Sequence, residues 1–275
     1  MATGYRRAGS GPVDRFVSAS VAGRVGWATQ GDLGARWPGA KDRMSLTAVV
    51  ERKVDSMEVI REARLSEALS ALRSDRLVAF PTETVWGLAA CARSSAALER
   101  LRLWKGRGAD HPISVLISGA SALESLGVEV SPVASRLAER FWPGPLTLVL
   151  GSRGPFAPGV ARSDGAIGVR CSPHPLAAAL AQRAEAEGLG PLTATSLNRT
   201  GEAPAHNGET ARRLCDAPDS PFLLEVAGED ASAGPPSTVL DLTCRPARLL
   251  RVGRIGLADL APLEIEIDPP SAPSR

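Results

Sequence analysis

Lysine is nearly missing from this chain. Of 32 basic residues among 275, only Lys41, Lys53 and Lys105 are lysines, and from residue 54 onward Lys105 stands alone. A compositional habit favouring Arg, Ala, Gly and Pro accounts for the scarcity without a functional signal, yet it singles out one stretch, LWKGRGAD (103–110). Cysteine is sparse as well. Cys91, Cys171, Cys215 and Cys244 lie far apart with no C-x-x-C pair, which argues against a zinc ribbon or a dithiol redox motif and for reduced, mostly buried thiols. No apolar run reaches the roughly 18 residues a membrane helix needs, and the N-terminus lacks the apolar core of a signal peptide. A cytoplasmic location away from membranes is expected. The phosphate-binding pattern G-x-x-x-x-G-K-[ST] is absent too.

Charge is also nearly absent in net terms, at +2 overall. It is uneven: residues 1–55 carry +4 and the remainder −2. The larger part is therefore not a basic platform for nucleic acid. Residues 1–55, rich in Gly, Ala and Arg, show little sustained period. They are expected to be a disordered extension, or upstream sequence if Met44 or Met57 is the true start, and residues 257–275 are expected to be a C-terminal tail.

Between them the pattern is orderly. Apolar residues at helical spacing predict a helix over 57–75, leading into a short buried strand at 77–80. Helices are predicted over 94–104, 131–142, 175–188 and 208–215. Strands are predicted at 113–117, 146–150, 166–170, 222–226, 237–242 and 247–252, with PLTATS (191–196) as a further extended segment. Helices open on Ser94 and at Pro132, and a glycine closes the one ending at 188. Alternation without internal repeats gives an α/β class with a mixed sheet.

Four islands in this scaffold carry chemistry. FPTETVWGLAA (80–90) puts hydroxyls and a carboxylate at a strand end, where open α/β sheets place ligands, though a capped turn reads the same way. In KGRGADHP (105–112) a lysine and an arginine beside two glycines suit phosphate oxygens; two cations at a helix end also complement its dipole. Arg170 closes the apolar strand AIGVR after PGPLTLVL, aimed at a carboxylate or at water. TATSLNRTG (193–201) sets Ser196 and Asn198 two apart on a segment leaving a strand, which suits a nucleotide or a turn.

Together FPTETVWGLA, K-G-R-x-x-x-x-P, FWPGPLTLVL, GVRCSPHP, ATSxNxTG and PSTVLDL…LLRVG resemble, in this order, the YrdC family of threonylcarbamoyl-AMP synthases over roughly 58–255. The resemblance implies a YrdC-like catalytic domain at 56–256, in the family's short form. Its fold would be a twisted mixed parallel/antiparallel sheet flanked by helices, with a positively lined central cavity. It also implies an enzyme that joins L-threonine, bicarbonate and ATP, with Mg²⁺ on the triphosphate, into threonylcarbamoyl-AMP and diphosphate. The product would pass to a tRNA threonylcarbamoyltransferase complex; tRNA or double-stranded RNA is a further possible partner. Residue by residue, it implies that Lys105, Arg107, Ser196 and Asn198 are catalytic. Thr84, Arg170 and Thr238 would bind threonine; Lys105, Arg107, His111, Ser196, Asn198 and Arg251 would bind ATP; no residue would be a dedicated metal ligand.

The chain departs from the family pattern at Gly108, His111, Leu116 and Ala166, and Trp86 replaces a usual tyrosine. Two rival readings of the same resemblance are a non-catalytic double-stranded-RNA-binding relative and a carbamoyl-adenylate-forming module.

Overall fold

No glycine or proline falls between Leu46 and Arg73, and these residues form one helix, α1 (Leu46–Arg73), which starts ahead of the helix expected from 57. Apolar periodicity is weak before residue 57, so the pattern alone located only the amphipathic half. The boundary expected at 55/56 falls inside this helix. The structure, a computed structural model, describes residues 46–106, 108, 113–230 and 234–268. After α1 come β1 (Val78–Phe80), β2 (Gly87–Ala89), α2 (Ser95–Lys105), β3 (Val115–Leu116), α3 (Pro132–Phe141), β4 (Leu146–Gly151) and β5 (Ala166–Arg170). Then follow α4 (Pro175–Ala186), β6 (Leu192–Thr193), β7 (Thr195–Ser196), α5 (Gly208–Leu214), β8 (Phe222–Leu223), β9 (Thr238–Asp241), β10 (Ala247–Arg251), α6 (Leu257–Leu260) and β11 (Ile267–Asp268).

The strands divide into two mixed sheets. One has the order β7-β2-β1-β8, the other β11-β10-β9-β4-β5-β3-β6. The larger alternates parallel and antiparallel neighbours: β4 runs antiparallel to β5 and parallel to β9, while β5 runs parallel to β3. The mixed α/β reading therefore holds, with the correction that the mixed sheet is two. Strand β2, not anticipated, pairs antiparallel with both β1 and β7.

Helix α1 packs beside α4 and β1. Its Leu65, Leu69 and Leu72 fall at helical spacing and are at most 1% exposed; burying each contributes about 1.5–3 kcal/mol. Ser94 caps α2 by accepting from Ala97 N at 3.1 Å, and Gly106 ends it in the left-handed region at φ 64°. Lys105 is thereby fixed as the last helical residue. Among the described residues, no helix is long and apolar enough to cross a membrane.

One ion-pair cluster closes the far end of β9. Arg162 donates to Asp241 Oδ2 at 2.7 Å and to Asp164 Oδ1 at 2.8 Å, and Asp241 also accepts from Thr243 N and Oγ1. Hydrogen bonds from Arg162 hold the Asp164 carboxyl down at about 2. Burial alone would raise Asp241, but hydrogen bonds from Thr243 and Arg162 outweigh it and leave its pKa below the usual carboxylate value. Both groups bind protons more weakly when folded, so their contribution is complete above pH ~4 and is lost as pH falls toward 2. Melting temperature followed by circular dichroism is expected to be flat near pH 6 and to fall below pH ~4. Asp241→Asn should make that fall shallower; an unchanged slope would exclude the cluster as its source.

Candidate active site

A single cross-strand row builds the floor of a cavity between the sheet and the PTET segment. Leu116 on β3 lies opposite Arg170 on β5, Arg170 opposite Thr147 on β4, Thr147 opposite Val239 on β9, and Val239 opposite Arg251 on β10. Partners across a ladder share a face of the sheet, and all five line one cavity of about 240 Å³. Phe80, Trp86 and Ser196 from the smaller sheet and its loops complete the wall. Among the described lining residues there are two arginines and no carboxylate. Three strand spacings separate Arg170 from Arg251, about 14 Å between Cα atoms, so extended guanidiniums can converge on a ligand between them.

Arg170 is anchored by the PTET segment. Its Nη2 donates to Thr84 Oγ1 at 2.5 Å, Glu83 Oε1 at 2.8 Å and Thr82 Oγ1 at 3.4 Å. Ser172 Oγ holds the other Glu83 oxygen. The residue is 8% exposed, yet its Nε is buried with no hydrogen-bond partner. The guanidinium is thus held at one nitrogen by the PTET segment, while the residue as a whole lines the cavity.

Arg251 keeps solvent access but turns inward: Nε donates to Ser237 O at 2.9 Å and Nη2 to Ser237 Oγ at 3.0 Å. Burial first, then the charge of Arg170, lowers its pKa from the usual arginine value; it stays a cation at neutral pH. A register shift between Leu249 and Arg251 delivers this side chain. In an uninterrupted ladder Leu250 would oppose Val239; the bulge leaves Leu250 46% exposed and Arg251 in the row.

Thr238, expected at the amino-acid substrate, is placed elsewhere. Its hydroxyl donates to Ile255 O at 2.6 Å and accepts from Gly253 N and Ile255 N, and the residue is absent from the cavity lining. Consecutive strand residues face opposite ways, so Ser237 and Val239 line the cavity instead. The clasp needs glycine at 253, because a Cβ there would overlap the Pro236 carbonyl and the Ser237–Thr238 peptide. Gly253→Ala is expected to lower stability by about 1–3 kcal/mol through this overpacking. Chemical denaturation should show it as a reduced midpoint; an unchanged midpoint would mean that the clasp relaxes freely.

Lys105 and the S-x-N segment meet. Lys105, 3% exposed, donates from Nζ to Ser196 O at 2.6 Å, Asn198 O at 3.1 Å and Asn198 Oδ1 at 3.0 Å. Ser196 Oγ donates to the same Asn198 Oδ1 at 2.6 Å, and Asn198 Nδ2 donates to Glu202 O at 2.7 Å. Ser196 lines the cavity, while Lys105 and Asn198 stand behind it. Arg107 and His111 lie outside the described residues.

Of the expected residues, Arg170, Ser196 and Arg251 come together around the cavity; Thr84, Lys105 and Asn198 support them one contact away. Thr147 and Ser237 were missed. A lone threonine inside the apolar strand LTLVL was the available signal for the first. Of the departures, Leu116 and Trp86 line the cavity, with Trp86 Nε1 donating to Asp230 Oδ1 at 2.9 Å. Ala166 sits at the opposite end of β5 from Arg170, about 13 Å away.

Known proteins resemble this chain in sequence and fold. A family model named for Sua5, YciO and YrdC, and described as telomere recombination, matches residues 70–253. The threonylcarbamoyl-AMP synthase of Pyrococcus abyssi is 34% identical over 218 residues, covering 78% of this chain; the chain spans 62% of that relative's length. A putative threonylcarbamoyl-AMP synthase of Mycobacterium tuberculosis is 32% identical over 202 residues, covering 73% of this chain and 89% of its own. The solved structure of P. abyssi Sua5 complexed with L-threonine superposes with a TM-score of 0.66 at 33% identity, covering 77% of this chain and 59% of that one.

Proposed function

The chain belongs to the Sua5/YciO/YrdC family, and from that premise we propose that it is a threonylcarbamoyl-AMP synthase, joining L-threonine, bicarbonate and ATP with release of diphosphate. The observation that carries the reading is Arg170 on the cavity floor, held by Glu83 from one side and in one cross-strand row with Arg251, in a cavity with no carboxylate among its described lining residues. An α-carboxylate is the acceptor that such a fork takes bidentately. Relatives of this chain carry the synthase name, and one has been solved with L-threonine bound.

The chemistry suits the charges. Threonine's amine attacks bicarbonate to give a carbamate and water; a carbamate oxygen then attacks the α-phosphate, and diphosphate leaves. Three anions must share one cavity, and fixed cations offset their repulsion and the charge that develops on the leaving group. Arg170 orients threonine. Arg251 faces it across the row, on the nucleotide side. Lys105 fixes the Ser196–Asn198 segment beside the phosphates, and Arg107 and His111 add further contacts to ATP. Mg²⁺ enters with ATP, coordinated by phosphate oxygens and water. The unstable product passes to a tRNA threonylcarbamoyltransferase complex.

The test is to incubate the protein with MgATP, bicarbonate and each amino acid in turn while measuring pyrophosphate. Release should require threonine. Release that is indifferent to threonine would overturn the assignment.

A further inference from the structure

The centre of the cross-strand row is a hydroxyl, not a charge. Thr147 is 2% exposed on a central strand, flanked by Arg170 on one side and Val239 on the other, and it lines the cavity. Its Oγ1 lies 2.9 Å from Ser237 Oγ. Ser237 Oγ in turn accepts from Arg251 Nη2 at 3.0 Å, which fixes it in place. Whichever hydroxyl donates within the Thr147–Ser237 pair, one proton and at least one lone pair of the pair stay uncommitted to each other. A third hydroxyl satisfies both, since it can donate and accept; a methyl group satisfies neither.

We propose that Thr147, supported by Ser237, reads the β-hydroxyl of the amino-acid substrate and is the specificity-determining residue for threonine over its deoxy analogue. The assignment rests on the synthase reading above, which places the substrate carboxylate at Arg170. Arg170 and Thr147 are cross-strand partners that rise from the same face of the sheet into one cavity, so a carboxylate taken by the first and a hydroxyl met by the second belong to one ligand in that cavity. Val239, the next residue of the row, gives the γ-methyl an apolar neighbour. A buried site built to hydrogen-bond a hydroxyl penalises the ligand that lacks one, because its own polar groups are then left unpaired.

The measurement is kcat/KM for L-threonine and for L-2-aminobutyrate, by pyrophosphate release, in the unaltered protein, Thr147→Val and Thr147→Ser. The preference for threonine is expected to fall by about 10–100-fold in Thr147→Val and to be largely restored in Thr147→Ser. Circular dichroism melting reports whether each variant is folded. Equal losses for both amino acids, or an unchanged preference, would overturn the specificity assignment while leaving the synthase reading intact. No amino-acid-dependent release from the unaltered protein would overturn the synthase reading, and this assignment with it. Failure of Thr147→Val to fold would pass the decision to Ser237→Ala, in which an unaltered preference for threonine would overturn the proposal.

Discussion

Lys105→Ala is expected to lower threonine-dependent pyrophosphate release by at least about a hundredfold, the scale on which a misplaced binding segment slows a reaction whose partners must be held in register. The ammonium holds two backbone carbonyls and the Asn198 side chain, so its removal frees the segment that carries Ser196 into the cavity. Leaving those acceptors unpaired costs about 1–3 kcal/mol, which a chain with so extensive a buried core can absorb. Lys105→Arg is not expected to rescue: a planar fork cannot converge on three acceptors arranged around a compact ammonium. Lys53→Ala, by contrast, should leave the rate unchanged. Single-turnover release and a melting curve for each variant check the set. Activity of Lys105→Ala within about threefold of the unaltered protein would remove this residue from the mechanism.

Arg170 gives the second large effect. Arg170→Lys keeps the charge but loses the fork, and KM for threonine is expected to rise about a hundredfold with KM for ATP little changed. Arg170→Met should abolish turnover and also destabilise the fold by about 3–5 kcal/mol, because Glu83, whose side chain is only 13% exposed, loses its partner. Replacing Glu83 by Gln in the same chain should recover much of that stability and none of the activity, a coupling that a double-mutant cycle reads directly. Equal rises in both KM values would place Arg170 outside the amino-acid site.

How far these residues could be read without coordinates depended on what each one needs. Arg170 was legible because a cation closing an apolar strand is a local anomaly. Lys105 with Ser196 and Asn198 was legible only as a set, through resemblance; each alone reads as a helix end or a turn. Of the Ser237–Thr238 step it is Ser237 that lines the cavity, since the sequence names the step but not the pleat that turns one residue toward the cavity and the other toward Gly253 and Ile255. Arg251 reaches the cavity wall, although a period-two reading would put it on the same face as Leu249. The bulge puts Leu249 in the core and Arg251 in the cavity. The division into two sheets rests on pairings such as β1 with β8, between segments far apart in the chain, to which local pattern is blind. The helix start at Leu46 escaped because backbone continuity, not amphipathicity, carries it.

The bulge in β10 means that the cavity's second cation is specified by chain length as much as by residue identity. A related chain with one residue fewer between the core leucine and the arginine would present the same guanidinium opposite the same partner through an unbroken ladder. A chain with identical letters and a straight ladder would present leucine there. Comparisons that score this position by letter alone will therefore misjudge which relatives carry two cations, and insertions or deletions in this strand are the changes to which the site's charge is most exposed.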